Sequence, residues 1–314
     1  MMEKSIPHVC AIIVTFNPEI YRVEKVIGSL SRQVADIIII DNASDTGRQA
    51  ALIQLTEADD HRHLFIMGEN QGIAAAQNAG IRISWLLNAS HVLLLDHDSL
   101  PADDMVKQLL LVESRQLMLH QQVGAVGPSC IDRRTLTRSG FVSKRGILIR
   151  REFPGPAADC IETDFLIASG MLIRCRVLKD VGLMRDELFI DQVDTEWCFR
   201  AASRGYHLYG ASKACLIHCL GDSIIRIWLG RWREVPAHSP QRNYFIFRNT
   251  LLLLGCTPMS LTWRLAHIYR LMIFFLFFTL LAAPRWQRMK MMLLGVRDGF
   301  KAGRMPTSNS KSSD

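Results

Sequence analysis

VCAIIVTFNPEIYRVEKVIGSLSRQVADIIIIDNAS, residues 9–44, decides the fold. Its ends, Val9-Cys-Ala-Ile-Ile-Val-Thr15 and Asp36-Ile-Ile-Ile-Ile40, are short β-branched apolar runs without polar alternation, the pattern of strands buried on both faces. Each run stops at a polar turn: Phe16-Asn17-Pro18 after the first, Asp41-Asn42-Ala43-Ser44 after the second. Between them Val23, Val26, Ile27 and Leu30 recur at helical spacing within residues 21–33, which completes one βαβ unit.

The alternation continues outward. The spacing predicts a helix over residues 45–57, a strand over 63–67, a turn at Gly68-Glu69-Asn70-Gln71-Gly72 and a helix over 73–87. A fourth strand, Val92-Leu-Leu-Leu95, then ends in Asp96-His97-Asp98. Strand and helix in turn imply an α/β fold with an open, doubly wound, Rossmann-like and mostly parallel sheet. Ligands of such sheets bind beyond the carboxyl ends of the strands, where the polar clusters at 15–17, 41–44, 70–72 and 96–98 converge. Past Leu100 shorter strands are expected at 123–128, 140–149, 167–173, 206–210 and 214–218, with a helix over 195–204, as an acceptor-side subregion.

Composition narrows the function classes. With 49% hydrophobic and 21% charged residues, the 314-residue chain has the make-up of a globular protein and not of a disordered one. Eight cysteines behind an N-terminus without a signal-peptide pattern predict free thiols in a reducing compartment. Cys215-Leu-Ile-His218-Cys219 has no second half at finger-like spacing and so does not form a structural zinc site. The net charge of +7 is concentrated at the C-terminus, where residues 226–304 hold thirteen Lys or Arg against Glu234 and Asp298. That basic stretch surrounds LMIFFLFFTLLAA, residues 271–283, a membrane-surface pattern and not that of a nucleic-acid groove binder.

Two acidic clusters carry chemistry. Asp96 and Asp98, two apart on a turn at a strand end, can share a divalent cation, Mg2+ or Mn2+, with the phosphates of a diphosphate leaving group. Asp191, Asp194 and Glu196 lie within six positions at a helix start; one of them serves as general base toward an acceptor hydroxyl. A nucleotidyltransferase on a similar sheet would want a glycine-rich basic loop after the first strand, where this chain has Phe16-Asn17-Pro18. A non-catalytic scaffold would have no need of intact acids at 96, 98 and 194.

Across residues 8–304 these motifs resemble, in the same order, the family 2 inverting glycosyltransferases of GT-A fold, and among them the bacterial rhamnosyltransferases of O-antigen and cell-surface polysaccharide assembly. Val14-Thr15-Phe16-Asn17 is similar to the first-strand motif, and Asp41-Asn42-Ala43-Ser44 to the nucleoside-binding loop. The stretch from Asn70 and Gly72 to Asn78 and Gly80 looks like the segment lining the donor site. The resemblance implies Asp96 and Asp98 as metal ligands, with Asp96 also facing the donor, and His218 as a late histidine completing the metal or diphosphate site. It sets Asp194 on the catalytic base, although Val193-Asp194 replaces the more frequent Glu-Asp. Arg242 to Asn249 and Arg297-Asp298-Gly299 match the same pattern without a physical role of their own. By the same resemblance the donor is dTDP-L-rhamnose, with a UDP-sugar as the alternative, and the acceptor a lipid-linked saccharide.

The expected organisation is a catalytic domain over residues 1–225, a basic and apolar helical membrane-associating region over 226–306, and a disordered tail over 307–314. The apolar run of 13 residues is short of the about 20 that span a bilayer, and extension upstream admits Arg270, His267 and Arg264. The region is therefore expected to lie on the cytoplasmic face of the inner or plasma membrane, peripheral or monotopic, with no nucleic-acid partner.

Overall fold

A computed structural model describes residues 7–133, 137–146, 148–154, 158–218, 223–228, 230 and 232–302. The tail expected at 307–314 lies outside them. The chain divides into two compact units, Met1–Leu220 and Gly221–Asp314.

The first unit opens with β1 (Val9–Thr15), α1 (Ile20–Leu30), β2 (Asp36–Asp41), α2 (Thr46–Glu57), β3 (Arg62–Ile66), α3 (Gly72–Leu86) and β4 (His91–Asp96). Next come β5 (Leu100–Pro101), α4 (Met105–Met118), β6 (Val123–Asp132), β7 (Phe141–Arg145), β8 (Leu148–Glu152) and β9 (Cys160–Thr163). It closes with β10 (Leu172–Arg174), α5 (Cys175–Val181), a 3-10 turn at Asp186–Leu188, α6 (Val193–Ser203) and β11 (His207–His218).

Nine strands form the central sheet in the order β3-β2-β1-β4-β10-β6-β11-β5, with β9 also on β11. The sheet is mostly parallel, β10 running antiparallel between β4 and β6. Side chains alternate across it, and helices cover both faces. Val9, Ala11 and Ile13 join Ile37, Ile39, Leu93 and Leu95 in a core closed by Val23, Ile27 and Leu30 of α1 and Leu109 of α4. Ile12, one residue out of phase, meets α3 on the other face. Each such aliphatic side chain, fully buried, contributes about 1.5–3 kcal/mol. Glu113 of α4, buried beneath the sheet, accepts from Arg174 (2.9 Å) and pairs with His91 (2.8 Å). Burial works against its charge, but these partners outweigh it and hold its carboxyl below the usual value.

Register lines up the strand ends. Thr15 stands opposite Asp41, Asp41 opposite Ile66, and Val14 opposite Asp96. Three expectations downstream are corrected. Residues 140–149 are not one strand but the arms of a hairpin, β7 and β8, reversing around Gly146. Residues 167–171 are a loop, because Met171 N–H closes a turn onto Ala168 O (2.9 Å) through Gly170 at φ +86, which leaves only Leu172–Arg174 to pair as β10. The strands expected at 206–210 and 214–218 are one, β11, with a register shift between Ala211 and Cys215. All seven described cysteines are free.

The second unit holds a hairpin of β12 (Ser223–Trp228) and β13 (Trp232–Ala237), then α7 (Pro240–Cys256), α8 (Leu261–Leu280) and α9 (Arg285–Ala302). Ser239 caps α7 by accepting from Arg242 N–H, and Pro240 occupies the first turn, where no amide donor is needed. Ile246, Phe247, Phe278, Ala282 and Met292 form its core. Arg288, 6% exposed, donates to Asn243 Oδ1 and His238 O, both at 2.7 Å, which satisfies a guanidinium placed among apolar groups. The motif at 297–299 gains a structural role: Asp298 accepts from Tyr244 of α7 (3.2 Å) and pairs with Arg297.

The apolar run is part of a longer helix than its 13 residues suggested. Ser260 precedes the first turn of α8, which runs for 20 residues and, by length and composition alone, is long and apolar enough to cross a membrane. Leu265, Ile268, Met272, Leu276 and Leu280, three or four apart, form an exposed stripe along it.

Candidate active site

The carboxyl ends of β1 and β2 are knitted by a buried carboxylate. Thr15 Oγ1 donates to Asp41 Oδ1 (2.8 Å), as does Ser44 Oγ (2.5 Å), while Ser44 N–H donates to Oδ2 (2.9 Å). Thr15 and Asp41 are both fully buried. Asp41, expected to touch the nucleoside, therefore shapes the loop in this geometry and presents no carboxylate surface to a ligand. Asn17 is exposed and clasps the same loop, its N–H donating to Ser44 Oγ (2.7 Å) and its Oδ1 accepting from Asp45 N–H (3.0 Å).

Asn42 extends the network to the turn before α3. Its Nδ2 donates to Asn70 Oδ1 (2.9 Å) and its Oδ1 accepts from Gln71 N–H (2.9 Å); Asn70 Oδ1 accepts again from Gly72 N–H (3.0 Å). Gly72 has φ +85, and a Cβ there would meet Phe189 O at 2.5 Å, so only glycine fits this crossing of two loops. Asn78, expected in the donor site, has its amide engaged within the protein. Buried in α3, it donates to Met184 O (2.8 Å) and Asp186 Oδ1 (2.6 Å) and accepts from Met184 N–H (2.9 Å). With both ends of its amide engaged, it fastens the loop that leads to α6.

Strained backbone gathers in these loops. Among the described residues seven non-glycines have positive φ, and five of them are Asn17, Ala43, Phe189, Asp191 and Gln192. The other two, Asn88 and His120, lie just past helices, where such a conformation is ordinary. Strain of this kind costs about 1–3 kcal/mol per residue and persists where the surroundings over-determine it, as at ligand sites.

Asp96, Asp98 and His218 form the centre of the site. Each brings one ligand atom to within 4.8 Å of the other two, and all three are half-buried. Asp96 ends β4 and His218 ends β11, so two strand ends and one turn converge. Two carboxylates and an imidazole, open on one side, fit a divalent cation that retains water or phosphate oxygens in its remaining positions. Behind them runs a chain of buried hydroxyls. Asp96 N–H donates to Ser169 Oγ (3.2 Å), Ser169 Oγ bonds Ser99 Oγ (2.7 Å), and Ser99 Oγ bonds His218 Nδ1 (2.7 Å). Sequence reasoning missed Ser99 and Ser169. The first directly follows the acidic pair; the second lies in the segment misread as strand, and no local signal marks it.

The same loop also holds Asp194, the residue expected to act as base. Ala168 N–H donates to Asp194 Oδ2 (3.2 Å) and Thr195 N–H to Asp194 Oδ1 (2.7 Å). One peptide unit, Ala168-Ser169, thus joins the acid at 194 to the hydroxyl chain behind the metal donors. The Asp194 carboxylate is packed within protein although part of the residue meets solvent, and burial raises its pKa against the opposing backbone bonds, with Asp191 adding repulsion. Glu196 leaves the list of candidate bases. It is 2% exposed and its oxygens are occupied by Arg200 (2.9 and 3.0 Å), which also bonds Val181 O and Leu183 O. Trp197 is core, its Nε1–H donating to Gly182 O (2.9 Å).

An α/β sheet whose carboxyl end gathers an acidic pair and a histidine able to hold a divalent cation, with a buried carboxylate beside them, is the setting of a group-transfer enzyme. Residues 10–182 match the family described as Glycosyl transferase family 2. Over 252 residues the chain is 31% identical to the dTDP-rhamnosyl transferase RfbF of Shigella flexneri, covering 79% of this chain and 80% of that protein. The chain belongs to this family and is a glycosyltransferase.

Solved structures agree on the fold. The mannosyltransferase PcManGT of Pyrobaculum calidifontis, in complex with GDP-Man and Mn2+, is 15% identical at a TM-score of 0.55, over 96% of this chain and 78% of that one. S. aureus TarS 1-349 in complex with UDP-GlcNAc is 12% identical at a TM-score of 0.56, over 94% and 81%. The fold is GT-A, and family membership sets aside the nucleotidyltransferase reading.

Proposed function

We propose that the protein transfers L-rhamnose from dTDP-L-rhamnose, with inversion, to a lipid-linked saccharide in the assembly of O-antigen or another cell-surface polysaccharide. The observation that carries the reading is that Asp194, at the start of α6, is held by the same loop that backs Asp96 and, through Ser99, His218. One site then addresses both partners of a displacement. Asp194 accepts the acceptor hydroxyl's proton as its oxygen attacks the anomeric carbon; the bond from that carbon to the diphosphate oxygen breaks on the opposite face, and dTDP leaves. A raised pKa makes Asp194 the stronger base. Asp96, Asp98 and His218 would hold the divalent cation, Mg2+ or Mn2+, whose charge would offset that of the diphosphate leaving group; the neighbour PcManGT was solved with Mn2+.

The donor is supported by the likeness to RfbF, and the membrane by α8. Its exposed stripe of leucine, isoleucine and methionine, with Arg270 exposed on the same helix, suits a helix lying at the cytoplasmic face, apolar side in the acyl boundary and that cation at headgroups.

Calorimetric titration of purified protein with a panel of nucleotide sugars, with and without Mn2+ and repeated on Asp98→Ala, tests the reading. Metal-dependent binding of dTDP-rhamnose, weakened in the variant, is expected. Binding of a UDP-sugar instead would discard rhamnose; binding of none would leave a scaffold. Flotation with vesicles containing anionic lipid tests the membrane, and full-length protein that stays at the bottom of the gradient refutes it.

A further inference from the structure

Side chains that glycosyl transfer does not use meet at the opposite, amino-terminal end of the sheet. Asp36 opens β2 and Cys10 stands beside it in register on β1; both are buried. His8, just before β1, places Nε2 2.6 Å from Asp36 Oδ2, and His63 of β3 places Nε2 3.0 Å from Asp36 Oδ1. His61 Nδ1 lies 3.6 Å from the same oxygen. Cys10 Sγ is 3.7 Å from His8 Nε2 and 3.9 Å from Asp36 Oδ2.

Three imidazoles and a thiol surround this one carboxylate, and they come from β1, β3 and the residues just before them. We propose that His8, Cys10 and Asp36 form a second metal site that takes a Zn2+-class cation, with His63 bracing the other oxygen of Asp36 and water in the fourth position. The geometry is close to what such an ion requires. With bonds of about 2.0–2.1 Å to nitrogen and oxygen and about 2.3 Å to sulfur, tetrahedral ligand atoms stand about 3.3–3.6 Å apart. The two edges to sulfur, 3.7 and 3.9 Å, are near that already. The nitrogen-to-oxygen edge, 2.6 Å, opens by about 0.8 Å when a cation replaces the shared proton.

Donor chemistry separates the two sites. Thiolate with imidazole selects Zn2+ over Mg2+ and Mn2+, whereas the oxygen-rich set at Asp96 and Asp98 suits the harder ions. Burial, with Asp36 beside it, pushes the Cys10 thiol up to about 12, so the metal-free protein carries Sγ–H and binding releases that proton. His8 and His63 are half-buried, which leaves a path from solvent to a buried floor. A bound ion would clamp β1 and β2, and through His63 also β3, at the end remote from catalysis.

Full-length protein stripped with a chelator and titrated with Co2+ provides the test. We expect a thiolate-to-cobalt charge-transfer band that saturates at one equivalent, is displaced by Zn2+ and persists in Asp98→Ala. Cys10→Ser should abolish the band, and His8→Gln and His63→Gln, milder changes at half-buried positions, should each weaken Co2+ binding at least about tenfold. Zn2+ should raise the melting temperature of the wild type and not of His8→Gln. No charge-transfer band in folded wild type, a band that survives in Cys10→Ser, or unchanged affinity in both histidine variants would each overturn the proposal.

Discussion

At the carboxyl ends of β1, β2 and β4 the chain places Thr15, Asp41 and Asp96 in loops bent through positive φ at Asn17 and Ala43. At the amino ends of the same sheet it places His8, Cys10, Asp36 and His63, with the strand ladder intact beside them. One end supplies oxygen donors on strained backbone, the other nitrogen and sulfur on regular backbone. The contrast teaches where reactivity resides. Loops past the strand ends are free of ladder hydrogen bonds and can be bent to aim groups at a ligand. The strands themselves fix neighbouring side chains at one spacing, which serves cohesion.

Substitution of Asp194 should have the largest effect. Asp194→Asn is expected to cut transfer on the order of a thousandfold, measured with a nucleotide-sugar donor at saturation. The same variant should melt at a higher temperature. Because the folded pKa of Asp194 is raised above the usual 3.8, its contribution to stability is fully present below that value and is lost as pH rises through the folded value. At neutral pH the ionised carboxylate therefore costs stability, and a neutral amide removes that cost. A lower melting temperature would show that the base is not strained by burial, and the contrast between the two ends would weaken.

The pH profile sharpens the same point. Log kcat/KM should climb with pH, with an apparent pKa above 3.8 that disappears in the residual activity of Asp194→Asn. A limb at the ordinary aspartate value would break it. Next come the hydroxyls: Ser99→Ala and Ser169→Ala should each weaken Mn2+ binding about 10- to 100-fold, read by electron paramagnetic resonance, because His218 and the Asp96 turn lose their support. Unchanged affinity in both would reduce the hydroxyl chain to packing.

Gly72→Ala should cost stability by about 1–3 kcal/mol in denaturant melts, since alanine must adopt φ +85 and push against the Phe189 backbone. The smallest effect belongs at the other end of the sheet. His8→Gln should leave kcat for sugar transfer unchanged, and a tenfold fall would mean that the two ends are coupled.

What the sequence revealed, it revealed through local pattern. Unbroken runs such as Ile37 to Ile40 bury on both faces and so announce parallel strands, and polar residues directly after them announce the crevice. Asp96 and Asp98 are neighbours in the chain and were legible as a pair. His218 came from resemblance, since 120 residues separate it from Asp98 and only the pairing of β11 with β6 and β5 brings it in. Residues 167–171 look as apolar as a strand, yet Ser169 and Gly170 are claimed by Ser99 and Leu94, a tertiary demand that no window of sequence shows. Asn78 carries the same lesson: its amide is spent on Met184 and Asp186, more than 100 residues away. The histidines around Asp36 come from the approach to β1 and from β3 and its approach, and meet only once the ladder has formed, whereas among the described residues Cys215 and His218, adjacent enough to suggest a ligand pair, do not meet the second half that a zinc site needs.

The peptide unit Ala168-Ser169 has a consequence for how this enzyme can change. A mutation that slides this loop shifts the supports of Asp194 and of Asp96 together. Under the proposed mechanism, neither evolution nor a designer can retune one half of the displacement from here without touching the other. Variation in which sugars are joined must enter through surfaces that do not touch this peptide, which leaves 168–170 as the fixed point around which the rest of the pocket is free to drift.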